Sequence, residues 1–255
     1  MEGADAKIRR ARQHLEQFGV DSTAFLRSRK HNFASKTNET EAWIVYWTDD
    51  AIPPTDLSAV IGDCLFNLRS ALDNLVCGLI HTQNRQHSCA GRSFPIYTNA
   101  EKYAKVRNNE MGGVPEAARK VIDALQPHQR PSGSEALDPL HILNVLCNRD
   151  KHRSILLTTA YSKNANIVVH TNDGRVHRVT ANRVLRGDGP EIIPLPLRPA
   201  LVSPSVRIEA AGTGVIVFRD VDGPWGERTV GEILTLCLTH VAERVVPVLR
   251  PFFNT

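Results

Sequence analysis

The chain has 255 residues, enough for one large domain or two small ones with a real core. Its 42% hydrophobic and 23% charged residues are ordinary globular values, and no apolar run is long enough to span a membrane. The net charge of +4 is compatible with nucleic acid but excludes a strongly basic binding tail.

Taken in chain order, residues 4–18 read as a charged amphipathic helix with Ile8, Ala11, Leu15 and Phe18 on one side. Arg9, Arg10 and Arg12 are not followed by an apolar segment, so no signal peptide is expected. Strand-like runs at about 24–33 and 41–48 predict a hairpin, ended by Pro53-Pro54. Thr55 or Asp56 is placed to cap the next helix. Leu57, Ile61, Leu65, Leu68, Leu72, Leu75 and Leu79 recur at three and four, the strongest helical pattern in the chain. A loop over 84–99 ends in Phe94-Pro95-Ile96. Short helices near 99–108 and 115–125 are separated by Met111-Gly112-Gly113. A further helix runs from Asp138 to about His152, with Pro139 in its first turn.

From Ser154 the period changes. Residues 155–157, 167–169 and 176–179 read as strands, the last two joined at Asn172-Asp173-Gly174. Val206–Glu209 and Val215–Phe218 predict a second hairpin around Gly212-Thr213-Gly214. An amphipathic helix over 229–247 closes the chain, and Pro247 should kink or end it. The expected fold is α+β, a helical bundle beside a mainly antiparallel sheet, closed by a C-terminal helix. It is expected to form one unit. Residues 1–153 would be mainly helical with an N-terminal hairpin, 154–225 β-rich, and 226–255 the final helix.

Five cysteines, Cys64, Cys77, Cys89, Cys147 and Cys237, form no CxxC pair. Their odd count and wide spacing argue against a disulfide framework or a zinc ribbon and for a reducing, cytoplasmic setting. His81, His87 and Cys89 lie in or beside a loop without the usual ligand spacing, so no metal or cofactor is expected. His170 and His177 flank a turn and are expected to face each other across the hairpin. Arg175, Arg178, Arg183 and Arg186 cluster on the β-rich part, where a solvated strand face accounts for them better than phosphate contact.

Two polar stripes carry the functional reading. On the first long helix, Asp63, Asn67, Ser70 and Asn74 follow 4, 3, 4 spacing, and His81 continues the face. Arg69 and Asp73 are i,i+4 neighbours that can pair. On the second, His141, Asn144, Asn148 and His152 follow 3, 4, 4 spacing. Facing stripes would make an interhelical hydrogen-bonded network or the floor of a polar cleft. Solvated faces explain them as well. The run Asn148-Arg149-Asp150-Lys151-His152-Arg153 ends the second helix, where cations also suit the dipole.

The segments Gly62-Asp63, Asn67-Leu68-Arg69-Ser70-Ala71-Leu72-Asp73, Phe94-Pro95-Ile96 and Asn148–Arg153 resemble a widespread group of uncharacterised bacterial proteins. The resemblance covers roughly residues 50–155 and implies no established activity. In that group a histidine usually follows the helix aspartate, and the resulting R-x4-H element is similar to HEPN ribonuclease and toxin domains. These cleave RNA without metal: arginine holds the phosphate and histidine handles the 2′-hydroxyl proton. Here Asn74 stands at the histidine position and cannot transfer a proton. Arg149 and His152 are only i,i+3.

Two functions are therefore expected of the chain. In the first, His152, Arg69 and Asp150 are catalytic in a HEPN-like, metal-independent ribonuclease of the toxin or defence type. Asp63, Asn67, Asp73, Asn74, Asn148, Lys151 and Arg153 then bind a phosphate-containing ligand, RNA foremost. In the second, the chain is a non-catalytic interaction module whose stripes are structural. No membrane partner is expected, and a homo-oligomer is compatible with either.

Overall fold

Helix α1 (Glu2–Arg27) and helix α2 (Thr55–Gln83) lie against one another and supply much of the core. In a computed structural model, residues 1–28, 32–37, 42–47, 52–152, 155–161, 166–170, 176–180, 185–186, 192–195, 207–211, 213–219, 225 and 228–253 are described. Ile61, Leu65, Leu68, Leu72, Leu75 and Leu79 of α2 are fully buried, as their spacing predicts. Each such side chain contributes about 1.5–3 kcal/mol relative to exposure.

Helix α1 runs nine residues past the expected end at Phe18, so Ala24–Arg27 belong to it and not to a strand. Ser22 and Thr23 remain helical by turning their hydroxyls onto Gly19 O. Phe25 and Leu26 pack against the core from this extension. The short run Ala24-Phe25-Leu26 carries too little periodicity to separate helix from strand. Strand β1 (Asn32–Thr37) pairs antiparallel with β2 (Ala42–Trp47), so the expected hairpin is present but its first strand lies later than the expected 24–33. At the start of α2, Pro54 occupies the N-cap and no side chain caps the helix, so neither Thr55 nor Asp56 does so.

Helices α3 (Ala100–Glu110) and α4 (Glu116–Ala124) are separated at Gly113, whose φ of +89° suits glycine. Arg107 of α3 grips Asp123 of α4 with Nε at 2.8 Å and Nη2 at 2.7 Å, and Tyr103 donates to the same carboxylate. Burial pushes the Asp123 pKa up, but these donors more than offset it and hold it below the usual carboxylate range.

Helix α5 (Pro139–His152) packs on α2 and α6 (Val230–His240). Asp138 precedes it, and its Oδ1 accepts from Leu140 N at 2.9 Å. Its other oxygen lies 2.5 Å from Arg130 Nε, and the Asp138 side chain is fully buried.

The β-rich part forms three small antiparallel sheets among the described residues. In strand order these are β1-β2-β7, β6-β3-β9 and β5-β4-β8. The strands are β3 (Leu157–Tyr161), β4 (Asn166–His170), β5 (Val176–Thr180), β6 (Leu185–Arg186), β7 (Ile192–Leu195), β8 (Arg207–Ala211) and β9 (Gly214–Phe218). Two expectations fail here. The consecutive strands β8 and β9 do not pair as a hairpin. Instead, β9 pairs with β3 and β8 with β4, so the sheet is set by partners some sixty to forty residues away in sequence. Ile155 and Leu156 precede β3 and are not part of it.

His170 and His177 also do not face each other. His170 stands opposite Val176, and His177 opposite Val169, which puts the two rings on opposite faces. His170 instead lies 3.4 Å from Glu209 of β8. The turn 172–174 lies outside the described residues, as do Arg175 and Arg183; Arg178 is exposed.

The closing helix does not end at Pro247 but continues to Leu249. A π-helical turn over Val241–Val245 precedes α7 (Val246–Leu249), and Pro247 falls in the first turn of α7. The wider turn accommodates a residue that has no N–H to donate and whose ring would press on the carbonyl four residues back.

Cys77 and Cys89 are joined by a disulfide, whereas Cys64, Cys147 and Cys237 are free and buried. The bond overturns the expectation of unpaired cysteines. Spacing alone did not show it because it depends on the loop after α2 folding back along that helix. Among the described residues, no helix is long and apolar enough to cross a membrane.

Candidate functional site

Arg69 and Asp73 sit one turn apart on α2, and their side chains approach to 3.3 Å. Together they grip the backbone of Phe94, which lies in the returning loop. Arg69 Nη2 donates to Phe94 O at 2.7 Å, and Phe94 N donates to Asp73 Oδ1 at 2.9 Å. Both polar groups of a buried residue are thus satisfied by one ion pair. Gln126, itself buried, continues the clamp: its Nε2 donates to Pro95 O at 2.8 Å and its Oε1 accepts from Tyr97 N at 3.2 Å.

The other guanidinium nitrogen, Arg69 Nη1, is buried and finds no hydrogen-bond partner among the described residues. It belongs to a side chain that lines a cleft of about 100 Å³ between α2 and the end of α5. The remaining walls are Gly62, Phe66, Ser70 and Asp73 from α2, with Cys147, Asp150 and Lys151 from α5. Phe66 is exposed, and Lys7 Nζ of α1 sits 5.4 Å from its ring centroid. Lys151 is exposed.

Asp150 rests directly on the α2 backbone. A Cβ added to Gly62 would lie 2.6 Å from Asp150 Oδ2, so only glycine leaves room for that carboxylate. Burial, and then the nearby charge of Asp63, push the Asp150 pKa up. No hydrogen-bond donor among the described residues reaches the Asp150 carboxylate within bonding geometry. Cys147 is no nucleophile: burial pushes its thiol up to about 12, and its Sγ donates to Leu65 O.

Gly62→Ala is therefore expected to displace Asp150 while keeping α2 intact. Alanine is the better helix former by about 1 kcal/mol, which offsets part of the clash. Melting should shift by only a few degrees, while a probe of Asp150, such as its carboxyl carbon resonance across a pH titration, should move back toward an ordinary aspartate. An unchanged titration would show that the carboxylate does not depend on Gly62.

The two polar stripes do not meet. Asn74 lies beside Gly3 of α1. Asp63 raises the pKa of His14 on α1 against the larger lowering effects of burial and Arg10. Asn67 is buried and donates to Asp63 O one turn back. On α5, Asn148 and His152 are exposed and line no part of the cleft. His141, half-buried near Asp138, has its pKa lowered by burial, with Asp138 opposing. Arg153 lies outside the described residues.

Of the expected site residues, the fold brings together Arg69, Asp73, Asp150 and Lys151, with Asp63 close enough to act on Asp150. The face that meets α5 is 62, 66, 69/70 and 73, one residue round from the polar stripe. Its signal was present as a helical 4, 3/4, 3/4 spacing, but Gly62 and Phe66 do not read as functional. The segments that carry the bacterial-group resemblance converge here as well: Gly62 touches Asp150, and Arg69 with Asp73 holds Phe94.

Away from the cleft, Cys77, His81 and Cys89 are the one group among the described residues whose ligand atoms are close enough to share a metal ion. No protein-family model, curated protein or solved structure matches the chain.

Proposed function

We propose that the α2–α5 cleft binds a phosphate group of RNA and that the protein is a HEPN-like, metal-independent endoribonuclease. The observation that carries this reading is the buried, unpartnered Nη1 of Arg69, whose side chain lines the cleft. An unsatisfied buried donor costs about 1–3 kcal/mol, which an anionic oxygen would recover. Lys151 offers a second positive charge at the mouth, and exposed Phe66 offers a face for a base to stack on.

Asp150 is the proton acceptor in this proposal, in place of His152, which stands outside the cleft. Its raised pKa brings a carboxylate nearer to the range useful for general base catalysis. It would take the proton of a ribose 2′-hydroxyl as that oxygen attacks the adjacent phosphorus. The phosphorus–oxygen bond to the 5′ side breaks, the leaving oxygen takes a proton from solvent water, and a 2′,3′-cyclic phosphate remains. Arg69 and Lys151 would stabilise the charge that builds on the phosphate oxygens.

The test is binding and cleavage of single-stranded RNA, with chelator present and at two salt concentrations. Lys151→Ala should weaken binding and reduce the salt slope by about 1. Asp150→Asn should end cleavage, retain binding and melt slightly higher at neutral pH. The sign follows from the raised pKa: the folded chain holds the Asp150 proton more tightly than the unfolded one. The ionised form therefore disfavours folding as pH rises above about 4. Wild-type protein that neither binds nor cleaves RNA would overturn the proposal.

A second reading is favoured by the engagement of Arg69 Nη2 and Asp73 with Phe94. In it, the pair is a structural clamp in a non-catalytic interaction module. Absence of any RNA effect, together with a large stability loss in clamp variants, would support it.

A further inference from the structure

We infer that Cys77, His81 and Cys89 form a redox-gated binding site for a zinc-class divalent cation at the C-terminal end of α2. Cys77 and His81 are one helical turn apart on the same face. Cys89 comes from the loop that folds back onto that face. The three ligand atoms lie within 4.8 Å of one another. His81 Nε2 stands 3.4 Å from Cys89 Sγ and 4.0 Å from Cys77 Sγ, and in the disulfide state it donates to His87 O at 3.1 Å, a bond that it gives up when it turns its lone pair to the cation. Ligands around a tetrahedral zinc, with Zn–N near 2.0 Å and Zn–S near 2.3 Å, sit about 3.5–3.8 Å apart. The His81–Cys89 edge of such a site is therefore already in place, and the His81–Cys77 edge at 4.0 Å needs only a small closing movement once the disulfide opens. The helix C-terminus adds a partial negative charge that favours a cation.

The disulfide is the alternative state of the same atoms, since bonded sulfurs cannot be thiolate ligands. Opening it takes two electrons and two protons from a thiol or dithiol reductant, which leaves as its own disulfide. Cation binding then releases the two thiol protons as the metal–sulfur bonds form, and water completes the fourth position. Reclosure by a disulfide oxidant releases the cation. The other three cysteines do not compete: all are buried, and burial pushes Cys64 and Cys147 up to about 12.

The same stripe of α2 continues from Cys77 to Asp73 and Arg69, and the loop is tied to it at both Cys89 and Phe94. Whichever bridge joins Cys77 to Cys89, the loop that presents Phe94 to the clamp stays tethered.

The experiment uses the full chain, oxidised or reduced with a phosphine that is then removed under argon, and titrates it with Co²⁺ and then Zn²⁺. The reduced protein should take up one Co²⁺ with a thiolate-to-cobalt charge-transfer band, and Zn²⁺ should bleach it. The oxidised protein should show no band. Cys89→Ser should abolish it. His81→Ala should weaken Zn²⁺ retention against a chromophoric chelator by about tenfold or more. Helical circular dichroism of each variant accompanies the titration. His81 is exposed, and its substitution decides the matter if Cys89→Ser loses structure. A reduced wild type without the band, a band that survives in folded Cys89→Ser, or unchanged retention in His81→Ala would overturn the inference.

Discussion

Arg69→Ala is expected to lower stability by about 2 kcal/mol and to abolish phosphate-dependent RNA binding at the cleft. The stability loss comes from Phe94 O, a buried acceptor that loses its donor, and from Asp73, which loses its cation. Asp73 is partly exposed, so most of the cost resides in the carbonyl. For a chain of this size, 2 kcal/mol corresponds to a melting shift of about 4–8 °C. Arg69→Lys separates the two roles. An ammonium retains the charge but cannot both reach Phe94 O and present a second nitrogen to the cleft. Lysine should therefore leave some RNA binding and restore little of the stability. Full stability in Arg69→Ala would show that the clamp contributes nothing. Undiminished RNA binding would remove Arg69 from the proposed site.

Arg130→Ala is expected to cost about 3 kcal/mol, or roughly 6–12 °C in melting temperature. Asp138 is fully buried, and without Arg130 its carboxylate keeps only the Leu140 N–H. Removing the partly exposed Arg130 leaves the buried Asp138 charge in a poor solvent, which costs more than the pair ever contributed. The decisive comparison is a double-mutant cycle with Asp138→Asn. Asparagine still caps α5 through its carbonyl oxygen and carries no charge. In that background, Arg130→Ala should be nearly neutral, giving a coupling energy of about 2 kcal/mol or more. Additive losses would show that Arg130 acts through packing of its stem.

How much of this was legible in the sequence depends on how local the cause is. The α+β class and the helices α2, α3, α4 and α5 follow from spacing within a few turns, and the Arg69–Asp73 pair from i,i+4 geometry. The strand partners do not: β8 and β9 have the composition of a hairpin, yet each finds a partner far back in the chain. The Cys77–Cys89 bond is hidden for a related reason, because it requires the path of a loop. In the candidate site, polarity drew attention to Asn67, which bonds back to Asp63 O on its own helix, and to Asn74, which lies beside Gly3 of α1. The residues that shape the cleft include a glycine and a phenylalanine, selected by fit to Asp150 and by position. His152 illustrates the opposite case, a chemically suggestive residue that the helix turns toward solvent.

The partnering of β3 with β9 also sets an order of events. The nearest pairs from which the two ladders can grow are Tyr161 with Gly214 and His170 with Arg207. The return of the loop to Arg69 spans only 25 residues, whereas Ala11 meets Cys64 across 53 and Cys147 of α5 meets Leu65 of α2 across 82. Closing a longer loop costs more entropy before any contact rewards it. The loop can therefore return to its clamp on Arg69 and Asp73 while α5 and the strands are still searching. The α2 wall of the cleft would then exist before Asp150 arrives opposite Gly62, so nascent chains would pass through a stage in which the clamp is built and the cleft still lacks one side.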